Sequence, residues 1–199
     1  FDAYSKVFQG LSASAGATFQ ASEHISLKAN VGRAYRAPNI TEIASNGLDP
    51  GAHIIYLGNR NFEPEFSLQE DIGISARYEN FSGDLSIFNN NIQNYIYQSL
   101  EVDATGNPVV DPQGNRTYKY QQGKAQLYGA EIWFALHPQE LDGLQFSNSL
   151  ALVYGFNRND ELKDEGINGA YLPLIPPATL VSSLSKRTVI NSGRLVSIT

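Results

Sequence analysis

Two stretches of the chain hold the residue types best suited to chemistry. Arg36-Ala37-Pro38-Asn39-Ile40-Thr41-Glu42-Ile43 sets a guanidinium and a carboxylate on either side of a proline. Gly58-Asn59-Arg60-Asn61-Phe62-Glu63-Pro64-Glu65 ends on a second carboxylate. Glu42 and Glu65 are candidate ionic partners for Arg36, a pairing that would pin a loop to a strand. Pro38 ends regular pairing and biases Ala37 towards an extended geometry. A second group is aromatic: Tyr56, Tyr95, Tyr97, Tyr118 and Tyr120, with Arg60 among them, offer flat faces and hydrogen-bond donors. No nucleophile–histidine–acid arrangement and no phosphate loop stands out. His24, His53 and His137 are too few and too scattered for a metal site. No catalytic residue, metal or cofactor is therefore assigned, and the residue types favour recognition over enzyme chemistry.

The elements that would position these residues have a period of two. Leu11, Ala13, Ala15, Ala17 and Phe19 alternate with small and polar residues, and Ile25, Leu27, Ala29 and Val31 do the same after a break at 21–24. The pattern predicts a hairpin there, then a long loop over 37–66. Alternation resumes with Leu68, Ile72, Ile74, Ala76 and Tyr78. A tight turn at Glu79-Asn80 follows, then a strand from Phe81 whose half beyond Asn89 is too polar for lipid and would project past a bilayer. Gly106-Asn107-Pro108 and Asp111-Pro112-Gln113-Gly114-Asn115 mark turns in a second long connection, expected to carry its own small hairpin. Tyr128, Ala130, Ile132, Phe134 and Leu136 then share one face, with Gly129, Glu131 and Trp133 on the other. A turn over 137–143, a strand from Leu144, a third long connection over 157–177 and a strand from about Thr179 complete the pattern.

The connections sort by length: short at 21–24, 79–80 and 137–143, long at 37–66, 99–117 and 156–177. Short turns at one rim and long loops at the other are the signature of a transmembrane β-barrel, and most strands reach the roughly 9–11 residues that cross a bilayer. No apolar run is long enough for a transmembrane helix, which says nothing against strands. Ser26, Lys28, Asn30, Gln69, Asp71, Arg77, Asp84 and Glu131 would face a wet lumen, since a dry core would leave them without partners. In a soluble sandwich the same residues would form the solvent face. A formal net charge of −6 with scattered Lys and Arg argues against a nucleic-acid partner. The fold class expected is all-β: a transmembrane antiparallel β-barrel, present as about eight strands.

The order of motifs resembles the barrel of TonB-dependent outer-membrane receptors. Arg36-Ala37-Pro38-Asn39 with Ile40-Thr41-Glu42-Ile43, the step Ser45-Asn46-Gly47, and the box from Gly58 and Asn59 to Pro64 and Glu65 match in order. In that box Arg60, Phe62 and Glu63 depart from the family's residues. Ala125-Gln126-Leu127-Tyr128-Gly129-Ala130-Glu131 is similar to a family strand with an inward glutamate, and Leu172-Pro173-Leu174-Ile175-Pro176-Pro177 to a proline-rich segment before a late strand. The resemblance implies a barrel of about 22 strands closed by a plug. Residues 1–199 would then be a fragment of the barrel domain, with signal peptide, plug and C-terminal strands absent.

It further implies a receptor in the outer membrane of a Gram-negative bacterium, in contact with its lipid. Such a receptor imports a scarce nutrient, with a ferric siderophore or other iron chelate foremost, and works with TonB through the missing plug region. Relatives that take up haem or metal carry a histidine between the two boxes; that position is Asp49 here, with His53 just beyond. Asp49, His53, Tyr56, Arg60, Tyr97, Tyr118 and Tyr120 are the ligand candidates, against a purely structural place in a loop or an aromatic girdle. Arg36, Ala37, Pro38, Asn39, Glu42, Gly58, Asn59, Pro64, Glu65, Gly129 and Glu131 are read as structural fasteners. A passive porin-like channel or adhesin barrel, and a soluble secreted β-sandwich binding module, are the alternatives.

Overall fold

The computed structural model describes residues 5–141, 143–159, 171–190 and 194–198. Its elements are β1 (Ala13–Gln20), β2 (Ile25–Arg36), α1 (Ile40–Ala44), β3 (Asn46–Asp49), β4 (Ile54–Leu57), β5 (Glu65–Arg77), β6 (Phe81–Leu100), β7 (Arg116–Leu136), β8 (Leu144–Asn157), β9 (Thr179–Ile190) and β10 (Arg194–Ile198). One sheet holds all ten strands. Its path runs β1-β2-β5-β6-β7-β8-β9-β10, eight antiparallel neighbours, while β3 and β4 lie off the path.

The register explains why alternation was legible. Phe19, Leu27, Ile74, Leu85, Ile132, Leu150 and Leu180 stand opposite one another in turn, an apolar row crossing seven strands. The adjacent row on the same face is Ala17, Ala29, Ile72, Ile87, Ala130 and Leu152. Between them on the opposite face run Thr18, Lys28, Gly73, Ser86, Glu131 and Ala151. The aliphatic row is exposed, with Phe19 at 66%, Ile74 at 39% and Ile132 at 39%, so it does not form the dry interior a two-sheet sandwich requires. That alternative is overturned. The fold is an all-β antiparallel wall with one aliphatic and one polar face, as a partial barrel has.

The short-turn rim is tied together by backbone. Tyr78 and Phe81 close the 79–80 turn (Tyr78 N to Phe81 O 2.7 Å), and His137 N donates to Asn80 O at 3.0 Å. At the other rim the strands are longer than the sequence predicts. β7 starts at Arg116, well before the apolar alternation that begins at Tyr128, so Tyr118 and Tyr120 sit on a strand and not on a loop. Residues 116–127 carry no greasy stripe because they extend past the aliphatic rows, where only backbone pairing with β6 is required. The expected loop over 37–66 contains α1 and the β3–β4 hairpin, elements too short to show a period. Most of the third connection, 160–170, lies outside the described residues.

Candidate functional site

The two boxes fold into one node. β2 delivers Arg36 and β5 delivers Glu65 as directly paired residues. Pro38 is buried where the chain leaves the sheet. Asn39 then caps α1: its Oδ1 accepts from Glu42 N at 2.9 Å, and Glu42 Oε2 accepts from Asn39 N at 2.8 Å, a reciprocal capping box. The same Glu42 carboxylate accepts from Arg36 Nη1 at 3.0 Å, and Arg36 Nε donates to Glu65. The Glu65 bond above all, with that to Glu42, pushes the Arg36 guanidinium further up against the opposing effect of burial.

Glu65 has a second task. β5 turns away while β6 continues, which leaves an edge N–H on β6 without a strand partner. Glu65 Oε1 accepts from the buried Ile96 N at 2.6 Å. The register slips between Gln93 and Tyr95, with Asn94 at φ 57° as the extra residue of the bulge. Asn94 Nδ2 donates to Pro64 O at 3.0 Å, and Gln122 Nε2 donates to Asn94 O at 3.1 Å. Gly58 fits only because it lacks a side chain: a Cβ there would lie 2.9 Å from backbone atoms of Glu42, Ile43 and Ser45. Asn59 N bonds Glu42 O at 2.9 Å, and Phe62, 3% exposed, packs with Ile43, Ile96 and the half-buried Tyr120.

The segment between the boxes crosses to β7. β4 pairs in parallel with the outer end of β7, placing Ile54 to Leu57 against Arg116 to Lys119. Tyr56 thus stands beside Tyr118, and its ring lies 6.4 Å from that of Tyr120. Tyr95 and Tyr97 stack at 6.2 Å on the neighbouring strand, and burial, then the Glu65 carboxylate, pushes the Tyr95 phenol up. Tyr97 Oη donates to Gln121 Oε1 at 3.4 Å and accepts from Asn159 Nδ2 at 3.3 Å. Four of the seven ligand candidates, Tyr56, Tyr97, Tyr118 and Tyr120, therefore gather on or against the projecting ends of β6 and β7.

The other three are placed differently. Asp49 Oδ1 accepts from Gly51 N and Ala52 N at 2.9 and 3.1 Å, closing the β3–β4 turn. His53 occupies the left-handed region at φ 56° in that turn. Arg60 is exposed in the box beside Asn59. Among the described residues no group of three or more His, Cys, Asp and Glu could hold a metal ion.

On the polar face, Glu131 is exposed between Ser86 and Ala151. At Gly129 a Cβ would meet Leu152 O at 2.2 Å and the Phe88 ring at 2.7 Å. The loop over 101–115 folds back in two turns. Asp103 accepts from Thr105 N and Asn107 N, and Asp111 from Gln113 N and Asn115 N, at 2.8 to 3.0 Å. The Thr105 hydroxyl, chiefly, holds Asp103 below the usual carboxylate range, and the Asn115 side chain does the same for Asp111. Reading the residues alone missed Asn94, Gln122, Phe62 and Ile96. Only the Asn-rich break within β6 hinted at a bulge.

The family model described as TonB dependent receptor-like, beta-barrel, matches residues 1–189. The ferric enterobactin receptor of Pseudomonas aeruginosa is 28% identical over 173 residues, which cover 81% of this chain and 22% of that protein. The ferric enterobactin receptor PirA of the same organism is 27% identical over 180 residues, again 81% and 22%. The chain thus spans about a fifth of the length of these curated relatives. Among solved structures, the copper transporter OprC superposes with TM-score 0.67 at 20% identity, covering 88% of this chain and 24% of that one. The siderophore receptor PirA from P. aeruginosa superposes with TM-score 0.62 at 24% identity, covering 88% and 30%.

Proposed function

Because the chain belongs to the TonB-dependent receptor-like β-barrel family, we propose that it is part of the barrel of an outer-membrane transporter that gathers a ferric siderophore at its long-loop rim. The observation that carries this reading is the docking of β4 on β7, which collects Tyr56, Tyr118 and Tyr120 on one face of the projecting strands, while the Tyr95–Tyr97 stack, paired with Gly123 and Gln121, lines the other. Catecholate chelates are flat, electron-rich and rimmed with acceptors, so phenol faces and hydroxyls are suitable partners. The two curated relatives named for ferric enterobactin point to the same ligand class. On this reading the ligand lands on the tyrosines of the projecting strands. TonB acts on a plug held inside the barrel, and the Arg36–Glu42–Glu65 node keeps the tyrosine-bearing segment in place.

The test uses the full-length protein in detergent micelles, with ferric enterobactin as the probe and fluorescence quenching as the readout. Tyr56→Ala with Tyr120→Ala is expected to weaken binding by about tenfold or more, the loss of one or two well-packed aromatic contacts. Uptake of iron-55 by cells carrying the wild-type protein should cease when TonB is deleted. Binding unchanged in the double variant would refute the proposed site, and TonB-independent uptake would favour a passive channel.

A further inference from the structure

On the aliphatic face the apolar rows end at a ladder of polar side chains. Arg158 donates through Nε and Nη2 to Gln126 Oε1 at 3.0 and 2.5 Å. Gln126 Nε2 donates to Asn89 Oδ1 at 2.7 Å, and Asn89 Nδ2 donates to Glu70 Oε2 at 3.1 Å. Glu70, Asn89 and Gln126 alternate in phase with Ile72, Ile87 and Ala130, so the ladder belongs to the aliphatic face and crosses it along the top of the greasy rows. Beside it lies an aromatic group: Tyr128 stacks on Phe156 at 5.5 Å and meets Tyr154 at 5.7 Å, and Phe156 meets Tyr171 at 4.8 Å.

One step above, the charge does not balance among the described residues. Arg158 N donates to Lys124 O at 2.8 Å, which sets these two cations side by side on neighbouring strands. Both are exposed, and the Lys124 ammonium has no partner among the described residues. Like charges facing each other across a strand pair are unfavourable unless an anion lies between them. Arg33 adds a third cation on this face, over the Phe66 ring at 4.2 Å. Glu70 is engaged at the far end of the ladder, and Glu63 further up is met by Lys6 at 3.9 Å. This cationic belt sits in a chain whose formal net charge is −6.

We propose that Lys124 and Arg158, above the Gln126–Asn89 ladder, bind the phosphorylated headgroup of an outer-leaflet lipid. Its acyl chains lie along the Ile72–Ile87–Ala130–Leu152 row below. The inference rests on the membrane-spanning reading given above and adds a lipid site on the outside of the wall, on the face of β7 that also carries Tyr118 and Tyr120 but nearer the aliphatic rows. Paired cations suit a phosphate dianion. The aromatic group marks the depth at which headgroups meet hydrocarbon, and the apolar row supplies what a free anion would not use.

The test takes the full-length protein in detergent micelles and measures, by native mass spectrometry, retention of bisphosphorylated lipid A, its dephosphorylated form and inorganic phosphate as competitor. Wild type should retain the phosphorylated lipid. Lys124→Gln with Arg158→Gln should lower retention about tenfold or more, dephosphorylated lipid should bind correspondingly weakly, and millimolar phosphate should not displace the lipid. Lys28→Gln, a cation on the polar face, should change nothing. Equal retention by the double variant, an equal loss in Lys28→Gln, or full displacement by phosphate would each overturn the proposal. So would retention that arises only after Asp160→Asn with Glu161→Gln, because acidic neighbours in sequence would then be the partners of the cation pair. Heat-modifiable gel mobility and recovery with the outer membrane check the barrel separately: losing these defeats the membrane reading itself, whereas keeping them with unchanged lipid retention defeats only the lipid site.

Discussion

Removing the Glu65 carboxylate probes the node at its most exacting point. In Glu65→Ala the buried Ile96 N–H loses an acceptor at 2.6 Å. A buried donor left unmade costs about 1–3 kcal/mol. Arg36 also loses a partner, but its side chain is 43% exposed and water takes over, so that part adds no more than about 1 kcal/mol. Together, about 1–4 kcal/mol is lost from the local docking of the 37–64 segment. Tenfold per 1.4 kcal/mol makes opening at Ile96 and α1 roughly 5- to 700-fold more frequent. Hydrogen–deuterium exchange on the full-length protein in micelles reads this directly, with the tight turn at 79–80 as an internal reference that should not change. Glu65→Gln keeps an acceptor oxygen for Ile96 and should exchange between wild type and the alanine variant. An alanine variant that exchanges like wild type at Ile96 would refute the reasoning.

Two further outcomes follow from single positions. Gly58→Ala places a Cβ 2.9 Å from backbone that cannot swing aside, so exchange at α1 and Asn59 should rise; Gly47→Ala, with nothing within 4 Å, should be silent by the same measurement. Asp103 and Asp111 both have folded pKa values depressed below 3.8. The turns they close are therefore fully stabilised above about pH 4, and lose that support only as pH falls through the lowered values. Amide exchange at Thr105, Asn107, Gln113 and Asn115 between pH 5 and pH 2 should show protection persisting below the ordinary carboxylate range; loss already at pH 4 to 5 would contradict the assignment.

The wall could be read from residue order because each of its strands carries its own two-residue period. The row from Phe19 to Leu180 is the sum of seven local patterns. The projecting ends of β6 and β7 were less legible, since strands beyond the aliphatic rows need backbone partners and no particular side chains. Arg36, Glu42 and Glu65 could be suspected as partners from charge alone. That Glu65 also serves the edge of β6 could not, because Ile96 is 31 residues away and the bulge at Asn94 leaves no mark except a run of asparagines. Tyr56 and Tyr120 meet for a similar reason: the parallel contact of β4 with β7 joins segments with no shared periodicity.

That contact also constrains the order of assembly. β4 precedes β7 in the chain, with β5 and β6 laid down between them, so its seam with β7 cannot close until β7 itself has been made. An unfinished molecule stopped before β7 would hold the Arg36 clasp and the bulge's first strand, yet would present Tyr56 to nothing.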